Sequence, residues 1–247
     1  MKRAVAKAVE SRDATSNEFR TLGEAVYTRL RQDIVWGHLP PGAPLRSDNL
    51  REAYGIGISP LREALSRLVA ERLVTTVGQR GFRVAPLTTA DVADTMETRV
   101  LIEGEALVRS IRRGDIAWET RVVASFHALS RVPVPNRAGT SAELWFRHHR
   151  QFHLALLDAC GSPWLLELAG LLFDQAERHR AVRARIAPRP KLVRDTAAEH
   201  KKICDAALAR NPKAALRVLD RHYRTTANQV LAALEHVPRI KMTTPLA

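Results

Sequence analysis

The residues best suited to chemistry in this chain are four histidines arranged as two spaced pairs. His149 and His153 lie four apart, about 40° around an ideal helix, so both project from one face one turn apart. His200 and His222 flank a helix break at Asn211-Pro212, each eleven residues from Asn211. Folding those helices into an antiparallel hairpin sets both imidazoles at one height, about 16 Å from the turn at roughly 1.5 Å per residue. Neutral nitrogen donors on facing rigid helices suit a divalent transition metal, zinc first, with nickel, cobalt and manganese as further cations. The alternative for any one of them is an ordinary surface or core histidine, the class to which His127, His148 and His179 are assigned.

A second group is suited to a polyanion: Arg46, Arg51, Ser59, Arg62, Ser66, Gln79, Arg80 and Gly81. Among the elements that carry them, Leu22, Val26, Leu30 and Ile34 predict a helix over 22–37, stopped by Gly37. Ser47 is read as the N-cap of a short helix to about Tyr54. After Gly55-Ile56-Gly57-Ile58, a third helix starts at Ser59 with Pro60 in its first turn and Leu61, Ala64, Leu65 and Leu68 inward. β-branched residues on both sides of Gly78-Gln79-Arg80-Gly81 predict a hairpin, the one strand pair expected. Three helices and a hairpin make a winged helix-turn-helix. Its third helix would present Ser59, Arg62 and Ser66 to the major groove. Gln79, Arg80 and Gly81 would form the wing tip, and Arg46 and Arg51 would clamp phosphates. Taken singly, each arginine has the alternative of a solvated face.

The remaining chain reads as helices at about 90–112, 115–131, 141–160, 163–186, 191–210 and 212–235, joined by short breaks. The fold class is therefore mainly α: a winged helix-turn-helix followed by an antiparallel helical bundle. The domains expected are a basic disordered tail over 1–18, the DNA-binding domain over 19–86, a linker over 87–90, the effector and metal domain over 91–236, and a tail over 237–247. Lys and Arg outnumber Asp and Glu by 39 to 26, a net charge of +13, which favours nucleic acid first and an acidic membrane second. No stretch has the ~18–20 apolar residues that span a bilayer, and the basic start lacks an apolar signal region. Cys160 and Cys204 show no metal-ligand spacing, so a reducing cytoplasm is the expected location.

Residues 22–87 resemble the DNA-binding domain of the GntR family of bacterial regulators. The matching features are Ile34-x-x-Gly37, Pro41-Gly42-x-x-Leu45, Leu50 ahead of Gly55, Ser59-Pro60-Leu61-Arg62-Glu63-Ala64-Leu65, and Leu73-Val74 leading to Arg80-Gly81-Phe82-x-Val84. The family commonly carries Ser or Thr then Arg just before the recognition helix; Gly57 and Ile58 stand there, so one expected DNA contact is missing. Residues 91–235 resemble the all-helical FCD ligand-binding domain of the FadR-type branch. The motifs are Arg99-x-x-x-Glu103, Phe152-His153 leading to Cys160-Gly161-Ser162-Pro163, Glu199-His200, and Asp220-Arg221-His222. Gly114-Asp115 with Trp118-Glu119, and Arg147-His148-x-x-Gln151-Phe152-His153, are similar to the glutarate-responsive, carbon-starvation-linked repressors.

The resemblance implies a metal held by one Asp and three His in many such domains, with His149 at the Asp position. An imidazole in place of a carboxylate leaves the site one unit more positive, which favours an anionic ligand. The expected effector is a small carboxylate or dicarboxylate, one end at the metal and the other at an arginine such as Arg99. Arg99 has a second reading, an i,i+4 pair with Glu103. The expected protein is a homodimer on double-stranded operator DNA, a repressor released by its ligand, with no membrane partner and no catalysis. Two rivals are a metal-dependent hydrolase and an architectural DNA binder. The hydrolase lacks a general base, since Arg150 stands where HExxH carries Glu. The architectural binder leaves the helical domain unexplained.

Overall fold

Helix α1 (22–35) buries Val26, Leu30, Ile34 and Val35, while Leu22 at the head of the same stripe stays exposed. In this computed structural model, residues 22–78, 81–134, 140–186 and 194–235 are described. Both tails, together with Gln79 and Arg80, lie outside that set. Strand β1 (Pro44–Leu45) and helix α2 (Ser47–Tyr54) follow, then α3 (Ile58–Ala70), β2 (Val74–Thr76) and β3 (Phe82–Val84). Gly55 ends α2 at φ 64°, a left-handed conformation natural to glycine, and its N–H donates to the Arg51 and Glu52 carbonyls. That sharp cap lets α3 start only three residues later and pack Leu61, Leu65 and Leu68 onto Leu30, Ile34 and Leu50.

Three expectations change here. The sheet has three strands in the order β1-β3-β2, both pairings antiparallel, with Pro44 opposite Arg83 and Thr75 opposite Arg83 across the two ladders. β1 is only two residues long and holds a proline, so it lacks the alternation that marks a strand. The recognition helix begins at Ile58 rather than Ser59, with Gly57 as N-cap. Ser47 is the first helical residue of α2 and Arg46 its N-cap, without a side-chain cap bond.

The chain divides into two compact units between Pro86 and Leu87. The second holds α4 (Thr89–Arg113), α5 (Ile116–Ser130), α6 (Thr140–Leu157), α7 (Pro163–Ile186), α8 (Thr196–Leu208) and α9 (Pro212–Glu235). Thr88 and Asp91 form a reciprocal capping box, so α4 starts inside the segment expected as a linker and shortens it to two residues. Asp115 and Asp195 cap α5 and α8, accepting from the Trp118 and Ala198 N–H groups. The α6 helix ends at Leu157, three residues before the expected end, because the chain turns at Cys160 into left-handed Gly161, φ 68°. Trp118, Trp145, Phe152, Leu107 and Tyr223 centre the core.

Helix α4 packs against both α7 and α9. Gly104 permits the close approach, since a Cβ there would stand 2.7 Å from Leu216 Cδ1. Leu216 meets the middle of α4 while Tyr223, further along α9, meets Glu103 and Arg99, so the two helices run antiparallel. Among the described residues, no helix is long and apolar enough to cross a membrane.

Candidate functional site

The packing of α6, α8 and α9 brings His149, His153, His200 and His222 together. One ligand atom from each lies within 4.8 Å of the others, and the four residues are between 1% and 5% exposed. His153 Nε2 and His200 Nε2 stand 3.4 Å apart. The helical spacing places His149 over His153, ring centroids 4.5 Å apart, and the hairpin at Asn211-Pro212 sets His200 4.8 Å from His222.

Burial pushes all four imidazoles below their ordinary range, with the neighbouring arginines and histidines adding to it for His149 and His153. His222 falls to about 4, burial outweighing the upward pull of Glu199. At neutral pH the set is therefore uncharged, the form that coordinates a cation. Carboxylates stand behind three of the four rings. His222 Nδ1 lies 2.7 Å from Glu199 Oε2, and His149 Nδ1 lies 3.1 Å from Glu177 Oε1. His153 Nδ1 meets Tyr223 Oη at 3.2 Å, and that hydroxyl donates to Glu103 Oε2 at 2.5 Å. Such outer partners orient a histidine and choose which nitrogen is left for a ligand. The donor set, its protonation and its support all fit a divalent transition metal.

Three arginines border the cluster, each paired with a carboxylate. Arg99 clamps Glu103 at 2.5 and 3.1 Å and lies over the Tyr223 ring at 4.0 Å. Arg180 Nη1 donates to Glu177 Oε1 at 2.7 Å and touches His149 at 3.1 Å from Nδ1. Arg194 grips both oxygens of Glu199 and donates to the His222 carbonyl. Burial opposes ionisation of Glu199, but hydrogen bonds from Arg194 and His222 outweigh it and hold the carboxyl at about 2. Burial disfavours charge on both members of the Glu177–Arg180 pair, raising the acid and lowering the base. Glu177 Oε2 has no hydrogen-bond partner among the described residues.

Arg99 is paired with Glu103, as one of its two readings had it, on a face that adjoins the histidines. Sequence reasoning missed Glu177, Arg180, Arg194, Glu199 and Tyr223 as parts of the site. Glu199 and Tyr223 each sit beside a ligand candidate in the chain, the one local signal available. Nothing in the spacing of α7 pointed at His149. His127 is exposed, His148 meets Gln151 at 3.1 Å, and His179 is buried apart from the cluster.

On the first unit, Ser59, Arg62 and Ser66 share the exposed side of α3, opposite Pro60, Leu61, Ala64, Leu65 and Leu68. Arg46 and Arg51 are exposed on α2, the latter 3.8 Å from Asp48. Gly81 is exposed at φ 95°. Ile58 stands 44% exposed at the start of α3, an apolar side chain on a polar surface. Arg67 is held away from that surface, stacked on Tyr27 at 3.7 Å and bonded to Glu24.

This architecture is that of a DNA-binding transcriptional regulator. The family model described as "Bacterial regulatory proteins, gntR family" matches residues 22–84, and the FCD domain model matches residues 94–225. The chain belongs to the GntR family, in its FCD-containing form. The HTH-type transcriptional regulator BphR of Paraburkholderia xenovorans is 38% identical over 213 residues, covering 85% of this chain and 86% of that one. The HTH-type transcriptional repressor GlaR of Escherichia coli is 36% identical over 200 residues, covering 81% and 91%. The structure named E. coli McbR/YncC shares the fold at a TM-score of 0.73 and 20% identity, over 87% of this chain and 99% of that one. BphR and GlaR are both named as transcriptional regulators of the helix-turn-helix type.

Proposed function

We propose that the protein is a homodimeric repressor that leaves its operator when a small dicarboxylate binds beside a divalent metal held by His149, His153, His200 and His222. The observation that carries this reading is the charge balance of the cluster. Four uncharged imidazoles surround it, and Arg99, Arg180 and Arg194 are each matched by a glutamate. A divalent cation would therefore bring two uncompensated positive charges into a buried site, and a dianion answers both. The metal's contribution is to polarise and anchor a ligand oxygen. The far carboxylate would share Arg99 with Glu103, whose clamp already presents the guanidinium at the site.

The direction of regulation follows the repressor named in the comparison, GlaR. Each copy would set α3 into one half-site of an inverted repeat, with Ser59, Arg62 and Ser66 at base edges or phosphates, and Arg46, Arg51, Gln79, Arg80 and Gly81 on the backbone. Work on operator DNA puts the protein in the cytoplasm.

The test combines elemental analysis with band shifts. Purified protein should carry close to one metal per chain, and a dicarboxylate of few carbons should release the operator while a monocarboxylate acts more weakly. Metal-free protein that responds equally to the acid would overturn the metal's part. Operator affinity indifferent to every small acid would return the chain to the architectural reading. Calorimetry with Arg99→Ala decides whether that guanidinium meets the ligand.

A further inference from the structure

The buried chain of Arg99, Glu103, Tyr223 and His153 carries an assignment that the cluster alone does not. Arg99 donates to both oxygens of Glu103, at 2.5 and 3.1 Å, so both are engaged as acceptors. Tyr223 has one hydroxyl proton, and it points to Glu103 Oε2 at 2.5 Å. The phenol oxygen can then only accept from its other neighbour, His153 Nδ1 at 3.2 Å. His153 must bring the proton on Nδ1, which leaves its Nε2 lone pair free. That nitrogen is the one facing His200 Nε2 at 3.4 Å.

We propose that Glu103 and Tyr223 are positioning residues that hold His153 in the Nδ1-protonated tautomer, with Nε2 as its donor toward the four-histidine cluster. The proposal rests on the metal reading above, and it adds the device that selects the donor atom. Glu199 does the same for His222 directly, accepting from Nδ1 at 2.7 Å. For His153 the carboxylate lies one residue further away and acts through the phenol. The relay also ties Arg99 to the cluster, because its guanidinium is what clamps Glu103. A ligand that draws Arg99 away from Glu103 would loosen the support of a metal ligand, so effector and metal are coupled through three side chains on α4 and α9.

The full-length Tyr223→Phe variant removes the one oxygen that links Glu103 to His153 and leaves the ring in place. Two measurements read it. Competition for Co2+ against a chromophoric chelator should show affinity lowered by about tenfold or more, the usual cost of losing an outer-shell partner. A 15N–1H correlation spectrum of the metal-free protein should show His153 protonated on Nδ1 in the wild type and a mixture of tautomers in the variant. Unchanged Co2+ affinity, or a wild-type tautomer retained in the variant, overturns the relay. Wild-type protein that takes up no Co2+ overturns the metal reading itself, and the tautomer comparison then decides the relay alone.

Discussion

At the scale of single residues, burial without an evident purpose is the most testable feature. His179 is 3% exposed on α7, and its Nε2 has no hydrogen-bond partner among the described residues. Burial first, then Arg178 and Arg99, push its imidazole down to about 3. An unfolded histidine titrates near ~6.5, so below that pH the unfolded chain takes up a proton that the folded chain refuses. The stability this residue allows is complete above pH ~6.5 and is lost as pH falls toward 3. Between pH 6.5 and 5 the loss is about 2 kcal/mol at ~1.4 kcal/mol per unit. Metal-free His179→Phe should lose less stability than wild type over that interval in urea denaturation. Equal losses would mean that other groups set the acid limit.

A contrast between two arginines of α3 belongs at the same scale. Arg62 is exposed on the face opposite the core, whereas Arg67 is stacked on Tyr27 and bonded to Glu24. Arg62→Ala should weaken operator binding by about 1–3 kcal/mol if the side chain reads a base edge, roughly five- to 150-fold in a band shift. Arg67→Ala should leave operator affinity near wild type and lower the melting temperature of the first unit.

At the scale of elements, capping decides where helices begin, and here it sets the frame for the cluster. The Thr88–Asp91 box fixes the start of α4, which carries Arg99 and Glu103. Thr88→Ala should cost about 1 kcal/mol, read as a lower urea midpoint with unchanged slope. An unchanged midpoint would show that packing of Val92 and Leu87 fixes that start without the cap. The hairpin of α8 and α9 is the element that sequence spacing read best. Equal distances from Asn211-Pro212 put His200 and His222 side by side, because two helices of equal rise lie level about their turn. The three-stranded sheet was less accessible, since β1 exists only by pairing with β3.

At the scale of the whole molecule, a net charge of +13 and an exposed polar face on α3 predict salt-sensitive DNA binding. The logarithm of operator affinity should fall linearly with the logarithm of salt, with a slope set by the phosphates neutralised. A flat dependence between 50 and 200 mM salt, the range over which ~10³–10⁵ in affinity is commonly lost, would remove the basic face from the interface. Fluorescence anisotropy with a labelled operator measures this directly.

The sequence by itself determined which faces its helices offer. A period of 3.6 residues stacks His149 on His153, and a break at Asn211-Pro212 levels His200 with His222. It also ordered the three helices and glycine turns of the DNA-binding unit, because caps, turns and apolar stripes are local chemistry. Only the tertiary structure decided what stands behind those histidines. Glu177 and Arg180 come from α7, Glu103 from α4 and Tyr223 from α9, and their meeting depends on how those helices pack. The same packing gave Arg99 to Glu103, a choice the i,i+4 spacing permitted and the buried Tyr223 hydroxyl reinforced. Spacing within a helix records direction and height, but a partner across helices is set by side-chain volume and close approach, as at Gly104 and Leu216.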